Sequence, residues 1–239
     1  MYTYDAQGNL TAVNNLQNMQ RVWYGYDPSR SNLLNIFVDP EAGTSRRVHY
    51  DASGCWTGSE DIDVVLGSLQ DAAASSESGA LSAGQMMKFV FRLTEAEMAT
   101  GIGGNLILRL SLQGSNGLQP GTASVEGAAA LIERLDDGRS LALYTFTEPG
   151  LYVLEIAGRD ASTAGTFALD LAVAGDNDGD GLVDGNDTAL FDVAYGSVQG
   201  DATYNPAADV DADGAVDGTD RYFLEANYAF VTNRAPQVS

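Results

Sequence analysis

The chain has 239 residues, enough for two or three domains with cores of their own. Its 33 acidic residues against 12 Lys plus Arg give a formal net charge of −21, and no basic stripe exists to meet a nucleic-acid backbone or an anionic membrane surface. A single cysteine, Cys55, excludes an internal disulfide and a zinc site built on cysteine pairs, and no run of about 18 apolar residues predicts a membrane-spanning helix.

Residues 1–58 repeat a pattern of aromatic, polar, Asp, turn and apolar strand. Tyr4-Asp5 precedes AQGNLTAV, Tyr26-Asp27 precedes PSRSNLLNIFV and Tyr50-Asp51 precedes ASGCW, at spacings of 22 and 24 residues. Such units encode β-hairpins with Gly- or Asn-bearing turns, and short periods of this kind bury one continuous face by stacking. On these residues the stretch resembles the YD repeats of RHS-type surface and secreted proteins, which implies a β-strip taken from a larger shell or array. The start, MYTYDAQGNL, lacks the charged and apolar regions of a secretory signal, so an exported protein is expected to carry this chain as a piece of a longer precursor.

Residues 59–84 offer a strand at Ile62–Leu66 and then turn rich in Ala, Ser and Gly, the composition of a connector. From 85 to 174 the chain alternates with period two. QMMKFVFRL sets Met87, Phe89, Phe91 and Leu93 on one face and Lys88 and Arg92 on the other, and NLILRLSL does the same with Leu106, Leu108, Leu110 and Leu112. An Asp137-Gly138 turn and a Pro149-Gly150 turn separate further runs, which predicts an antiparallel β-sandwich of about seven short strands. Glu133, Glu155 and Asp170 alternate with apolar neighbours and are expected to face solvent. The run TEPGLYVLEIAGRDASTAGTFALDLAV resembles the last strands of a bacterial prepeptidase-type jelly-roll domain. LTEAEMATG, residues 93–101, predicts a helical turn at the sandwich edge.

The stretch from 176 to 220 carries the strongest chemical signal. Asp176, Asp178, Asp180, Asp184 and Asp187 occupy positions 1, 3, 5, 9 and 12 of one twelve-residue loop. Asp209, Asp211, Asp213, Asp217 and Asp220 occupy the same positions of a second, 33 residues on. Calcium takes six to eight oxygens, and a loop of this length supplies them from alternate positions, from a backbone carbonyl at position 7 and from a closing carboxylate at 12. Leu182 and Ala215 stand at position 7. Position 6 needs a turn that a Cβ would obstruct, and Gly181 and Gly214 are there. Val183 and Val216 at position 8 are expected to pack the paired loops together. Asp closes both loops where an EF-hand has Glu. A solvated acidic linker is the alternative, and the unslipped duplication argues against it.

Each loop is followed by about two helical turns, TALFDVAYG and RYFLEANYAF, with Leu190, Val193, Ala194 and Phe223, Ala226, Tyr228 at helical spacing. No helix enters either loop. Loop followed by helix, duplicated at this interval, resembles the dockerin module over residues 175–230. That resemblance implies two calcium ions, two antiparallel helices and, in cellulosomal members, docking onto a cohesin partner. Those members tend to read the partner through a Ser/Thr pair at positions 10 and 11; here the residues are Gly185 and Asn186, then Gly218 and Thr219. Residues 231–239 resemble the lead-in to a further domain.

Catalysis would have to use the one histidine, His49, with Cys55 or a serine, and a β-strip in which both are structural is the better reading. Trp23, Trp56, Tyr144 and Tyr152 could offer a sugar-stacking platform, but isolated aromatics need no such role. The fold class expected is mainly β, hairpin repeats plus a sandwich, closed by a small α module of two calcium loop-helix units. The function expected is non-catalytic: a calcium-binding structural or interaction module of an extracellular or cell-surface bacterial protein, with a protein partner or neighbouring copies of itself. The alternatives are a dockerin-type arm that recruits a cohesin-like partner, calcium-dependent self-assembly into a surface polymer, and a fragment of a secreted hydrolase or RHS-type toxin shell.

Overall fold

Alternation becomes strand along most of the chain, and the protein is mainly β, as expected. The computed structural model describes residues 1–15, 20–27, 29–69, 76–100 and 102–231. The expected lead-in at 231–239 lies, except for Val231, outside the described residues.

The N-terminal strands are β1 (Tyr2–Tyr4), β2 (Leu10–Asn15), β3 (Gln20–Asp27), β4 (Arg30–Asp39), β5 (Thr44–Tyr50) and β6 (Trp56–Asp61), one antiparallel sheet in chain order. The Tyr-Asp pairs sit at its hairpin turns, and each aspartate folds the turn that follows it. Asp5 Oδ1 accepts from the Gln7 and Asn9 N–H groups, Asp27 Oδ1 from Ser29 and Arg30, and Asp51 Oδ1 from Ser53 and Cys55. The tyrosines lock the stack: Tyr26 Oη donates to the Leu10 carbonyl and Tyr50 Oη to the Leu34 carbonyl, both at 3.0 Å. Donor and acceptor both advance by 24 residues from one contact to the next.

Among the described residues nine strands make the sandwich. The five-stranded sheet runs β12 (Ala129–Asp136), β13 (Arg139–Phe146), β10 (Leu106–Ser115), β15 (Gly165–Val173) and β8 (Ser76–Leu81). The four-stranded sheet runs β11 (Ser124–Val125), β14 (Gly150–Ala157), β9 (Met86–Leu93) and β7 (Val64–Ser68), and its β7–β9 pair is parallel, an exception to the antiparallel expectation. Residues 59–84 are therefore more than a connector, since they supply one edge strand to each sheet. The small residues of β8 have a packing reason: a Cβ at Gly79 would come within 2.9 Å of the Phe167 ring. The short helix α1 (Glu95–Met98) forms where a turn was expected, with Thr94 and Glu97 closing a capping box.

Phe89, Phe91, Leu93, Leu106, Leu108, Leu110 and Leu112 fill the core between the sheets, none more than 1 % exposed. Both outer faces are also covered. Val90 and Val153 of the four-stranded sheet pack with Ala12, Trp23, Ile36 and Val38 of the N-terminal sheet. Ile107 and Leu143 of the five-stranded sheet pack with Ala174, Val210 and Phe223. The last two belong to the C-terminal module, whose helices are α2 (Gly185–Ala194) and α3 (Gly218–Ala226). The order of layers is thus N-terminal sheet, four-stranded sheet, five-stranded sheet, loop-helix module.

Helical spacing misassigned part of the module. Phe191, Ala194, Phe223 and Leu224 are the buried apolar residues of its two helices, whereas Leu190, Val193 and Tyr228 are exposed at 37, 73 and 45 %. The helices meet through Arg221, whose guanidinium lies 5.2 Å over the Phe191 ring and pairs with Asp192 at 2.9 Å. Gly175 lets the chain pass from sandwich to module: its φ is +96° and a Cβ there would meet Leu224 Cα at 2.6 Å.

Candidate metal centre

Each acidic loop is built from carboxylates that accept from backbone N–H groups a few residues ahead. In the first, Asp176 accepts from Gly179 (2.8 Å) and Gly181 (3.0 Å), Asp178 from Asp180 (3.1 Å), and Asp180 from Leu182 (2.8 Å). In the second, Asp209 accepts from Asp213 (3.1 Å) and Gly214 (2.9 Å), Asp211 from Asp213 (3.1 Å), and Asp213 from Ala215 (2.9 Å). The turn at position 6 is as expected, with φ +84° at Gly181 and +90° at Gly214. At position 4 the loops differ: Gly179 in the first, and in the second Ala212, held at φ +55°.

The turns gather positions 1, 3 and 5. One oxygen from each of Asp176, Asp178 and Asp180 lies within 4.8 Å of the others, and so do oxygens of Asp209, Asp211 and Asp213. Two oxygens each about 2.4 Å from one calcium ion are at most about 4.8 Å apart, so the spacing suits that ion. A donor set of hard carboxylate oxygens also favours calcium over softer divalent metals.

Positions 9 and 12 have an additional duty. Asp184 and Asp217 are the N-caps of α2 and α3, accepting from Asn186 and Thr219 N–H at 2.7 Å. Asp187 and Asp220, each 1 % exposed, complete the capping boxes. Asp187 accepts from the Asn177, Asp178 and Asp184 N–H groups, and Asp220 from those of Val210, Asp211 and Asp217. An acid three residues after an N-cap Asp is a capping signature, and the sequence reading gave these four residues to metal alone.

Val183 and Val216 are fully buried and belong to one apolar cluster, while the backbone bridges of the two loops run to other segments. Leu182 forms a β-bridge with Val231, beyond α3, and Ala215 forms one with Val198, beyond α2. Each loop is thus fastened to the segment leaving the other loop's helix. A 33-residue shift carries Leu182 onto Ala215 and Val198 onto Val231.

The electrostatics are those of crowded acids. Burial, with neighbouring carboxylates, pushes Asp176 up to about 6; burial likewise pushes Asp220 up to about 6, against the hydrogen bonds it accepts. Asp178 and Asp211 are raised too, again chiefly by burial, with the Arg134 guanidinium opposing the shift at Asp211. Tyr204 Oη donates to Asp209 Oδ2 at 2.6 Å, and burial followed by that bond raises the phenol. Arg134 and Tyr204 escaped the sequence reading: Arg134 lies 77 residues from Asp211, and no local pattern joins them.

The other candidates disperse. His49 Nε2 lies 3.3 Å from Glu60 Oε1, while Cys55 is exposed and its N–H goes to Asp51. Trp23 and Tyr144 are core residues and Trp56 is exposed. Asp170 is raised by burial beside Arg109 instead of standing free in solvent. Glu155 faces the N-terminal sheet, with Lys88 Nζ at 3.7 Å and Arg47 Nη1 at 3.9 Å, which corrects the outward placement expected for it.

No protein-family model matches the chain, and no curated protein does. Among solved structures it is similar to the pre-peptidase C-terminal domain of a collagenase from Bacillus anthracis, over 47 % of this chain and 97 % of that one. The identity is 15 % and the TM-score 0.34, too low to carry a functional argument.

Proposed function

We propose that the chain is a non-catalytic, calcium-binding structural module of an extracellular or cell-surface bacterial protein. Two calcium ions order its C-terminal part. The supporting observation is the duplicated gathering of position 1, 3 and 5 carboxylates within 4.8 Å, at a spacing that suits one calcium ion each. Asp176, Asp178 and Asp180 hold one ion, and Asp209, Asp211 and Asp213 the other. The Leu182 and Ala215 carbonyls complete the two sets, with Asp184, Asp187, Asp217 and Asp220 closing them. Ten carboxylates in two small volumes repel one another until a cation neutralises them. With calcium about tenfold above its dissociation constant each site adds about 1.4 kcal/mol, and loop sites of millimolar affinity belong to extracellular modules.

The test is a calcium titration followed by circular dichroism and sizing, with Asp178→Ala and Asp211→Ala as controls. Helical signal should rise with calcium in the unmodified chain and rise less in each variant. A chain indifferent to chelator defeats the reading.

A dockerin-type arm is the second reading. It is favoured by Val193, Tyr195 and Tyr222 on the helices and at the end of α2, exposed at 73, 53 and 59 %. The departures at Gly185-Asn186 and Gly218-Thr219 weigh against it. Calcium-dependent retention of a purified cohesin domain would establish the arm, and retention independent of calcium, or none, would remove it.

A further inference from the structure

The loops repeat most of each other's internal hydrogen bonds but not each other's surroundings. Asp178 is exposed, whereas its counterpart Asp211 is only 3 % exposed; Asp209 is equally buried where Asp176 is half-buried, and Asp180 and Asp213 are both exposed. Over the second loop lies Arg134, from the edge strand β12 of the sandwich. Its Nε donates to the Asp211 carbonyl at 2.6 Å. Its Nη2 donates to Asp211 Oδ2 at 3.0 Å and stands 3.8 Å from Asp213 Oδ2. The guanidinium therefore touches two of the three carboxylates gathered there, and it is fixed at one end by a sheet that belongs to another layer.

We propose that Arg134 is a built-in counter-ion: it holds the second loop on the sandwich when no calcium is bound, and it makes that loop the weaker of the two calcium sites. The inference rests on the loops being calcium sites. A guanidinium stays charged throughout the working pH range and its planar fork loses little freedom on binding a carboxylate. Calcium arriving among Asp209, Asp211 and Asp213 meets a positive charge that already shares two of those ligands. Repulsion between a divalent ion and a guanidinium a few ångströms away, in a partly solvated site, amounts to on the order of tenfold in affinity. The first loop, open to solvent at Asp178 and Asp180, fills first.

The experiment is calorimetric calcium titration of the full chain, with Arg134→Gln and Arg134→Lys beside it, together with amide hydrogen exchange in chelator. The unmodified chain should take up two ions in separate steps, and Arg134→Gln should tighten the weaker step about tenfold. Arg134→Lys keeps the charge and should stay near the unmodified chain, which a merely structural role of the side chain would not produce. In chelator the amides of 209–220 should exchange more slowly than those of 176–187, and Arg134→Gln should remove that advantage. Asp178→Ala should abolish the tighter step and leave the weaker. Two ions bound with both affinities unchanged in Arg134→Gln overturns the role of Arg134 alone. No calcium uptake by any variant defeats the calcium reading itself, and the counter-ion with it.

Discussion

The sandwich is clasped on both outer faces, and the two joints are made differently. On the N-terminal side an apolar patch of Trp23, Ile36, Val38, Val90 and Val153 is flanked by an ionic group. Lys88 and Arg47 each reach Glu60 and Glu155, Arg47 also pairs with Glu126, and His49 faces Glu60. On the C-terminal side a similar patch of Ile107, Leu143, Val210 and Phe223 is sealed by one amide. Asn227, fully buried, accepts from Ile107 N–H at 3.0 Å and donates to the carbonyls of Ile107 and Ala174 at 2.8 and 2.7 Å. The first joint draws on charges that titrate and are screened by salt. The second depends on a neutral group, on the single guanidinium of Arg134 paired with Asp211, and on whatever neutralises the acidic loops behind it. The same sandwich can therefore stay attached to one neighbour under conditions that release the other.

Chelation is the sharpest way to separate the joints and carries the largest expected effect. Removing calcium should melt the first loop with α2 and loosen α3, whose loop Arg134 still ties to the sandwich, while the sandwich and N-terminal sheet stay folded, seen as loss of helical circular dichroism with protection retained in β9 and β14. Next in size is Asn227→Ala, which strands the Ile107 N–H and the Ala174 carbonyl at the module joint, the Ile107 carbonyl keeping the Ala174 N–H. A cost of about 3–5 kcal/mol is expected, read by denaturant titration and localised to the module by hydrogen exchange. Trp23→Ala is its counterpart on the other side. It should cost about 3 kcal/mol and loosen the N-terminal sheet while leaving calcium uptake alone.

The pH response of the ionic joint should be smaller. Burial alone would raise the Glu60 carboxyl, but the Lys88 ammonium, with His49 and Arg47, outweighs it and holds Glu60 below the usual glutamate range. A carboxyl depressed on folding contributes stability above its unfolded value, near 4.5, and that contribution is lost as pH falls through the folded value. The melting temperature should therefore fall below pH 4.5 with an acid limb that Glu60→Gln flattens. The smallest effect expected is that of Ala212→Gly. It relieves a positive φ in the second loop by up to about 1 kcal/mol, and an unchanged melting temperature would mean the alanine is held there without strain.

Much of this was legible in the residues. Period-two alternation placed the core of β9 and β10, and acidic spacing placed the position 1, 3 and 5 carboxylates. What alternation could not say is that both outer faces are covered. Yet the exceptions to it, Val90 inside FVF and Ile107 inside LIL, are the residues that dock the neighbouring layers. Glu155 obeyed the alternation and was placed in solvent because a charged residue on an outer face looks the same whether it meets water or an ammonium. Asn227 and Arg134 left no trace, since their partners lie 120 and 77 residues away. The helix faces were misjudged because each helix is only about two to three turns long, too short for apolar spacing to choose one side.

The bridges Leu182 to Val231 and Ala215 to Val198 give the module a crossed clasp. Neither half carries its own mate: a chain stopped soon after Val198 would keep the first loop and lose the strand that fastens it. Two such truncated chains could supply each other's missing partner, each lending its own Val198 segment to the other's Leu182.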